Sequence, residues 1–169
     1  MSNTISVVVF DDNPRVLSSL EALISSYPDL ILMGSFLNGD MLEQRIESLK
    51  PQVVVMDIDM PGLGGIEATG LIKKKFPDVQ ILIQTAFDDD RKIFESLCAG
   101  ASGYILKGDM SENLAEAIYD VCAGGSPMSP SIARKVIMMF KQFGTTSDAK
   151  VNQYELTPRE LDVLTQLVG

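Results

Sequence analysis

Five short apolar runs, rich in β-branched residues, recur along the first 125 residues: Ile5–Phe10, Leu30–Met33, Val53–Met56, Gln80–Ile83 and Gly103–Leu106. Most are apolar almost without interruption, the pattern of strands in a parallel sheet covered on both faces. Between them, apolar positions recur at helical spacing. Val16, Leu17, Leu20, Leu23 and Ile24 form one stripe, and Leu42, Ile46 and Leu49 a second. Ile66, Leu71 and Ile72 form a third, and Ile93, Phe94 and Leu97 a fourth, with Gly100 at a helix stop. Leu114, Ala117, Ile118 and Val121 form the fifth. Pro28, Pro51 and Pro77 punctuate the turns from helix to strand.

Strict strand–helix alternation predicts an α/β doubly wound fold with five helices and a flavodoxin-like five-stranded parallel sheet, order 2-1-3-4-5. In such sheets the site lies at the carboxyl ends of the strands, near the switch point between strands 1 and 3. The pattern changes after Val121, where Gly124-Gly125-Ser126-Pro127 ends the fifth helix. Residues 131–143 read as one more helix, and 144–150 as a small polar linker. Thr157-Pro158-Arg159-Glu160 then has the form of a helix start: threonine cap, proline at the first position, glutamate completing a capping box. The expected organisation is a body over 1–125, a helical and flexible linker over 126–153, and the opening of a further domain over 154–169. A lone amphipathic helix cannot bury its own face, so that last domain is expected to be cut short.

Composition narrows the chemistry. Histidine is absent, so carboxylates, hydroxyls and lysines must carry any reaction. The net charge of −9 is uneven: residues 1–125 hold nine Lys+Arg against nineteen Asp+Glu (−10), and 126–169 hold five against four (+1). An acidic body repels nucleic-acid phosphates, so this chain is not expected to bind DNA by itself. No apolar run is long enough to span a bilayer, and the first residues lack the pattern of a signal peptide, so a cytoplasmic location without membrane association is expected. Cys98 and Cys122 have no metal-site spacing and read as buried, reduced thiols.

Three carboxylates fall where such a sheet gathers its ligands. Asp11 and Asp12 follow strand 1, and Asp57 follows strand 3, its neighbour in the proposed order. Like charges so close raise one another's pKa, and a divalent cation resolves the conflict. Mg²⁺ (or Mn²⁺) suits an all-oxygen set of this kind. A carboxylate beside such a metal can attack a phosphoryl group and form an acyl phosphate. Thr85 at the end of strand 4 and Lys107 at the end of strand 5 supply a hydroxyl and an ammonium for phosphoryl oxygens. Taken alone, Asp11-Asp12 could equally cap the following helix, and Lys73-Lys74-Lys75 reads as a solvated helix face.

In this order and spacing, Asp11-Asp12, Asp57 followed by Met60-Pro61-Gly62, Thr85-Ala86 and Lys107 resemble the signature of response-regulator receivers, over roughly residues 4–125. Gly124-Gly-Ser-Pro-Met-Ser-Pro130 with Leu156-Thr-Pro-Arg-Glu160 resembles the LuxR-type (NarL-like) subgroup, whose members carry a C-terminal helix-turn-helix. The resemblance implies that Asp57 accepts a phosphoryl group from a phosphohistidine on a partner sensor kinase. It implies Asp12 as direct Mg²⁺ ligand, Asp11 acting mainly through water, and the Asp59 backbone carbonyl as a third ligand. Thr85 and Lys107 would bind phosphoryl oxygens, and Tyr104 would reorient as Thr85 moves. It further implies transcription regulation through the output domain. Phosphorylation-linked self-association through helices 4 and 5, or through helices 1 and 5, is a separate expectation. Lys107 is followed by Gly108 where many receivers have proline, and Asp59 adds an acid beside the site.

Two rival functions share part of this pattern. Asp57-Ile58-Asp59 resembles the opening motif of haloacid dehalogenase-type phosphatases, but those carry further acids after the lysine, whereas here the acid pair precedes it. A degenerate receiver serving only as an interaction domain would not need all five key residues.

Overall fold

A computed structural model describes residues 4–86 and 88–145. The elements run β1 (Ile5–Phe10), α1 (Pro14–Ser25), β2 (Leu30–Phe36), α2 (Leu42–Leu49), β3 (Val53–Asp57), α3 (Gly65–Lys75), β4 (Gln80–Thr85), α4 (Asp90–Cys98), β5 (Gly103–Leu106), a 3-10 turn (Lys107–Asp109), α5 (Met110–Cys122) and α6 (Pro130–Thr145). The sheet is parallel with order β2-β1-β3-β4-β5, as the alternation predicts. The switch point falls between β1 and β3, so their carboxyl ends face one crevice.

Side chains alternate along each strand, and this sorts the core into two layers. Val7, Val9, Val53, Val55, Leu82 and Ile105 pack with Leu17, Leu20 and Ile24 of α1 and Leu114, Ile118 and Val121 of α5. Val8, Phe10, Val54, Met56, Ile81, Ile83 and Tyr104, of opposite parity, are also fully buried. The same period of two assigns the polar residues at the strand ends to one layer or the other. Asp11, Asp57, Gln84 and Lys107 continue the parity of the first set, whereas Thr85 and Tyr104 belong to the second.

Several local expectations differ from the structure. β2 runs to Phe36, three residues past the apolar run, and Asp57 is the last residue of β3 rather than the first after it. On α3 the buried face is Gly65, Ala68, Thr69 and Ile72; of the predicted stripe only Ile72 is fully buried, and Ile66 and Leu71 are half-buried. The helix starts too close to β3 for large side chains: a Cβ on Gly65 would lie 1.9 Å from the carbonyl oxygen of Asp57. On α4, Ser96 shares the buried face with Ile93, its hydroxyl donating to the Lys92 carbonyl at 2.7 Å. Cys98 is half-buried and Cys122 exposed, because each ends its helix rather than facing the core; the expectation of buried thiols is corrected.

The chain divides into two compact units, 1–132 and 133–169. The first runs past residue 125 because Pro127–Ser129 lies along β5. Tyr104 N–H donates to the Pro127 carbonyl at 2.9 Å, and Ser129 N–H to the Tyr104 carbonyl at 3.2 Å. Leu106 N–H donates to the buried Ser129 hydroxyl at 3.1 Å. Backbone groups of an edge strand are thereby satisfied. In the second unit the described residues continue α6 to Thr145, two residues beyond the predicted helix. The predicted helix start at 157–160 lies outside the described residues, as does all but the start of the polar linker. No described helix is long and apolar enough to cross a membrane.

Candidate phosphoryl-transfer site

Asp11, Asp12 and Asp57 each offer a carboxylate oxygen, and these oxygens lie within 4.8 Å of one another. Asp11 and Asp57 are buried, and Asp12 is exposed. Opposite stands Lys107 on the first residue of the 3-10 turn. Its Nζ is 2.7 Å from Asp11 Oδ2 and 3.3 Å from Asp57 Oδ2. Burial works against the Lys107 charge, but its bonds to Asp11 and the charge of Asp57 outweigh this and raise its pKa. It remains an ammonium across the physiological range.

Asp11 is tightly held. Asn13 N–H donates to Oδ1 at 2.8 Å, and Gln84 Nε2 and Lys107 Nζ both donate to Oδ2. The cap of α1 is Asn13, whose side chain accepts from Arg15 N–H at 3.0 Å, with Pro14 at the first helical position. The acid pair is therefore not spent on capping. No hydrogen bond or ion pair engages Asp12 among the described residues, so its carboxylate faces the crevice mouth unclaimed.

Asp57 is different. Burial, then the Asp11 charge, push its carboxyl up from 3.8 to about 6, against the pull of Lys107 and the Asp59 N–H. Among the described residues, two buried carboxylates and one exposed one face a single ammonium, which is a deficit of positive charge. All the donors are hard oxygens, without imidazole or thiolate. This set fits Mg²⁺ or Mn²⁺ and does not fit zinc.

Asp59 is at the rim. Its side chain forms an ion pair with Lys92 on α4, at 2.5 Å. Thr85 and Tyr104, of opposite parity, are both fully buried on the other side of the sheet. Burial drives the Tyr104 pKa upward, reinforced by the charges of Asp59 and Asp89. No hydrogen bond satisfies the Tyr104 hydroxyl among the described residues. The Lys107–Gly108 peptide bond is trans. Sequence reasoning missed Gln84, Lys92 and Asn13. Gln84 left a signal, as an amide directly after Ile81–Ile83, and Asn13 before Pro14 has the form of a helix cap.

Residues 7–119 match the family described as "Response regulator receiver domain". This chain belongs to the response-regulator family. Response regulator GacA of Pseudomonas protegens is 33% identical over 165 residues, covering 98% of this chain and 76% of that protein. The nitrate/nitrite response regulator protein NarL of Escherichia coli is 30% identical over 159 residues, covering 94% and 73%. A crystal structure of a LuxR-family two-component response regulator from Aurantimonas superposes with a TM-score of 0.76 at 32% identity, covering 80% of this chain and 97% of that one. The chain thus carries a receiver of the NarL/LuxR type, a class whose standard function is phosphorylation-controlled switching of an output. Response regulators are generally not classical enzymes, and the dehalogenase-type phosphatase reading is not favoured.

Proposed function

We propose that Asp57 accepts a phosphoryl group from a phosphohistidine of a sensor kinase, in a reaction that needs Mg²⁺ or Mn²⁺. The observation that carries this is the Lys107 ammonium shared between two buried carboxylates, with Asp12 open beside them. A carboxylate oxygen of Asp57 attacks phosphorus, and the phosphorus–nitrogen bond to the donor imidazole breaks. Asp12, the Asp57 carboxylate and the Asp59 backbone carbonyl would hold the cation, with Asp11 acting through water. When bound, the cation supplies the positive charge that lets Asp57 ionise and that offsets charge on the transferring phosphoryl oxygens. Lys107 takes one phosphoryl oxygen, and Thr85 moves toward another.

Movement of Thr85 changes the surroundings of the Tyr104 hydroxyl, which lies buried on the same face of the sheet. Tyr104 is thus the residue through which the phosphorylated state reaches the α4–β5–α5 surface, and self-association through that surface or through α1 and α5 follows from it. Residues 154–169 open a LuxR-type helix-turn-helix domain, through which alone DNA is bound. The location is the cytoplasm. The chemistry of the chain itself is limited to its own phosphorylation and dephosphorylation. Intact mass after incubation with acetyl phosphate and Mg²⁺ tests this. Wild type gains one phosphoryl group and Asp57→Ala gains none, and gel filtration of both reads any linked self-association. Equal gain by Asp57→Ala overturns the assignment.

A further inference from the structure

β4 ends in Gln84 and Thr85, and the phosphoryl-transfer chemistry above uses only Thr85. Gln84 is fully buried and in register with Asp57 of β3 and Ile105 of β5. Its Nε2 donates to Asp11 Oδ2 at 3.0 Å, the oxygen that Lys107 Nζ holds at 2.7 Å. Its Oε1 is buried without a hydrogen-bond partner among the described residues. An interior strand position normally takes an aliphatic side chain, and an unpaired buried acceptor is costly. Turning the amide over would set its carbonyl against a carboxylate, so Asp11 fixes its orientation. The amide stands where packing alone would not place it, and the hydrogen bond it donates goes to an acid of the site.

Lys107 serves two carboxylates at once. To grip a phosphoryl group on Asp57, its ammonium must loosen from Asp11. Without Gln84, Asp11 Oδ2 would then be a buried carboxylate oxygen with no protein donor among the described residues, which opposes the movement. We propose that Gln84 is a positioning residue for phosphoryl transfer: its amide keeps Asp11 Oδ2 hydrogen-bonded, so that the Lys107 ammonium is released to the phosphoryl oxygens. This rests on Asp57 being the phosphoryl acceptor. Gln84 acts through Asp11 and touches no reacting atom.

The test compares full-length wild type with Gln84→Met, which keeps the volume and removes the donor. Phosphorylation rates are read over a range of acetyl phosphate concentrations in Mg²⁺. The loss of one hydrogen bond to a charged group lowers the saturating rate about tenfold. The half-saturating donor concentration stays within about twofold, since uniform binding is not what is lost. Excess Mg²⁺ does not restore the rate. An unchanged saturating rate, or a rate that excess Mg²⁺ restores, overturns the proposal. A second measurement needs no variant. In ¹H–¹⁵N spectra of wild type, the Gln84 side-chain amide stays protected from exchange both before and after addition of Mg²⁺ with beryllofluoride, a phosphoryl mimic. Exchange as fast as that of an exposed amide in either state overturns it. A wild type that takes up no phosphoryl group at all overturns the Asp57 reading itself, and this proposal with it.

Discussion

Without a divalent cation at neutral pH, Asp57→Asn is expected to be more stable than wild type. The carboxyl of Asp57 is pushed from 3.8 to about 6, first by burial and then by the Asp11 charge. The folded protein therefore binds this proton more tightly than the unfolded chain does. The protonated form contributes stability that is fully present below about pH 4 and is lost as pH rises through about 6. At 1.36 kcal/mol per pKa unit the whole rise corresponds to about 3 kcal/mol. Water entering the crevice and relaxation of Lys107 reduce this to about 1–2 kcal/mol. The assay is urea unfolding of both proteins in EDTA at about pH 7.5 and about pH 4, read as unfolding free energies. The advantage of Asp57→Asn over wild type should be about 1–2 kcal/mol larger at the higher pH. Adding Mg²⁺ should shrink it, because a cation that binds the folded acids stabilises wild type. An advantage that does not change with pH, or a variant less stable than wild type at neutral pH, would refute the reasoning.

Three further outcomes are expected. Gly65→Ala places a Cβ 1.9 Å from the Asp57 carbonyl oxygen and 2.7 Å from its carbon, so α3 must shift off β3. Urea unfolding should show a loss of about 2–4 kcal/mol. Lys107→Met leaves Asp11 and Asp57 facing each other with no ammonium between them, and phosphorylation by acetyl phosphate, read by intact mass, should slow at least about a hundredfold. Lys92→Met removes an ion pair whose partners are 36% and 47% exposed, and thermal unfolding should register a change below about 1 kcal/mol.

The fold was legible because each layer of it rests on a single periodicity. Continuous apolar runs mark buried parallel strands, and helical stripes such as Leu114–Val121 mark their covers. The acids and Lys107 were legible for a related reason. A charged residue directly after a fully apolar strand has few uses other than a site at the sheet's edge. The features that stayed hidden depend on contacts between elements. The pairing of Lys92 with Asp59 joins α4 to the loop after β3, and no spacing along the chain announces it. The buried face of α3 was misread because the helix starts against β3, where Gly65 meets the Asp57 carbonyl, so that the small residues Gly65, Ala68 and Thr69 join Ile72 on that face. The docking of Pro127–Ser129 on β5 rests on backbone bonds, to which side-chain patterning is blind. Gln84 was visible as a polar interruption after Ile81–Ile83, but its partner Asp11 lies 73 residues away.

The central claim is that the carboxylate of Asp57 is the group that receives phosphorus. Reduction of the acetyl phosphate-treated protein with borohydride converts an aspartyl phosphate to homoserine, which tandem mass spectrometry locates. The homoserine is expected at position 57, only when Mg²⁺ or Mn²⁺ was present. Homoserine at position 11, 12 or 59, or its absence despite uptake of a phosphoryl group, would contradict the claim.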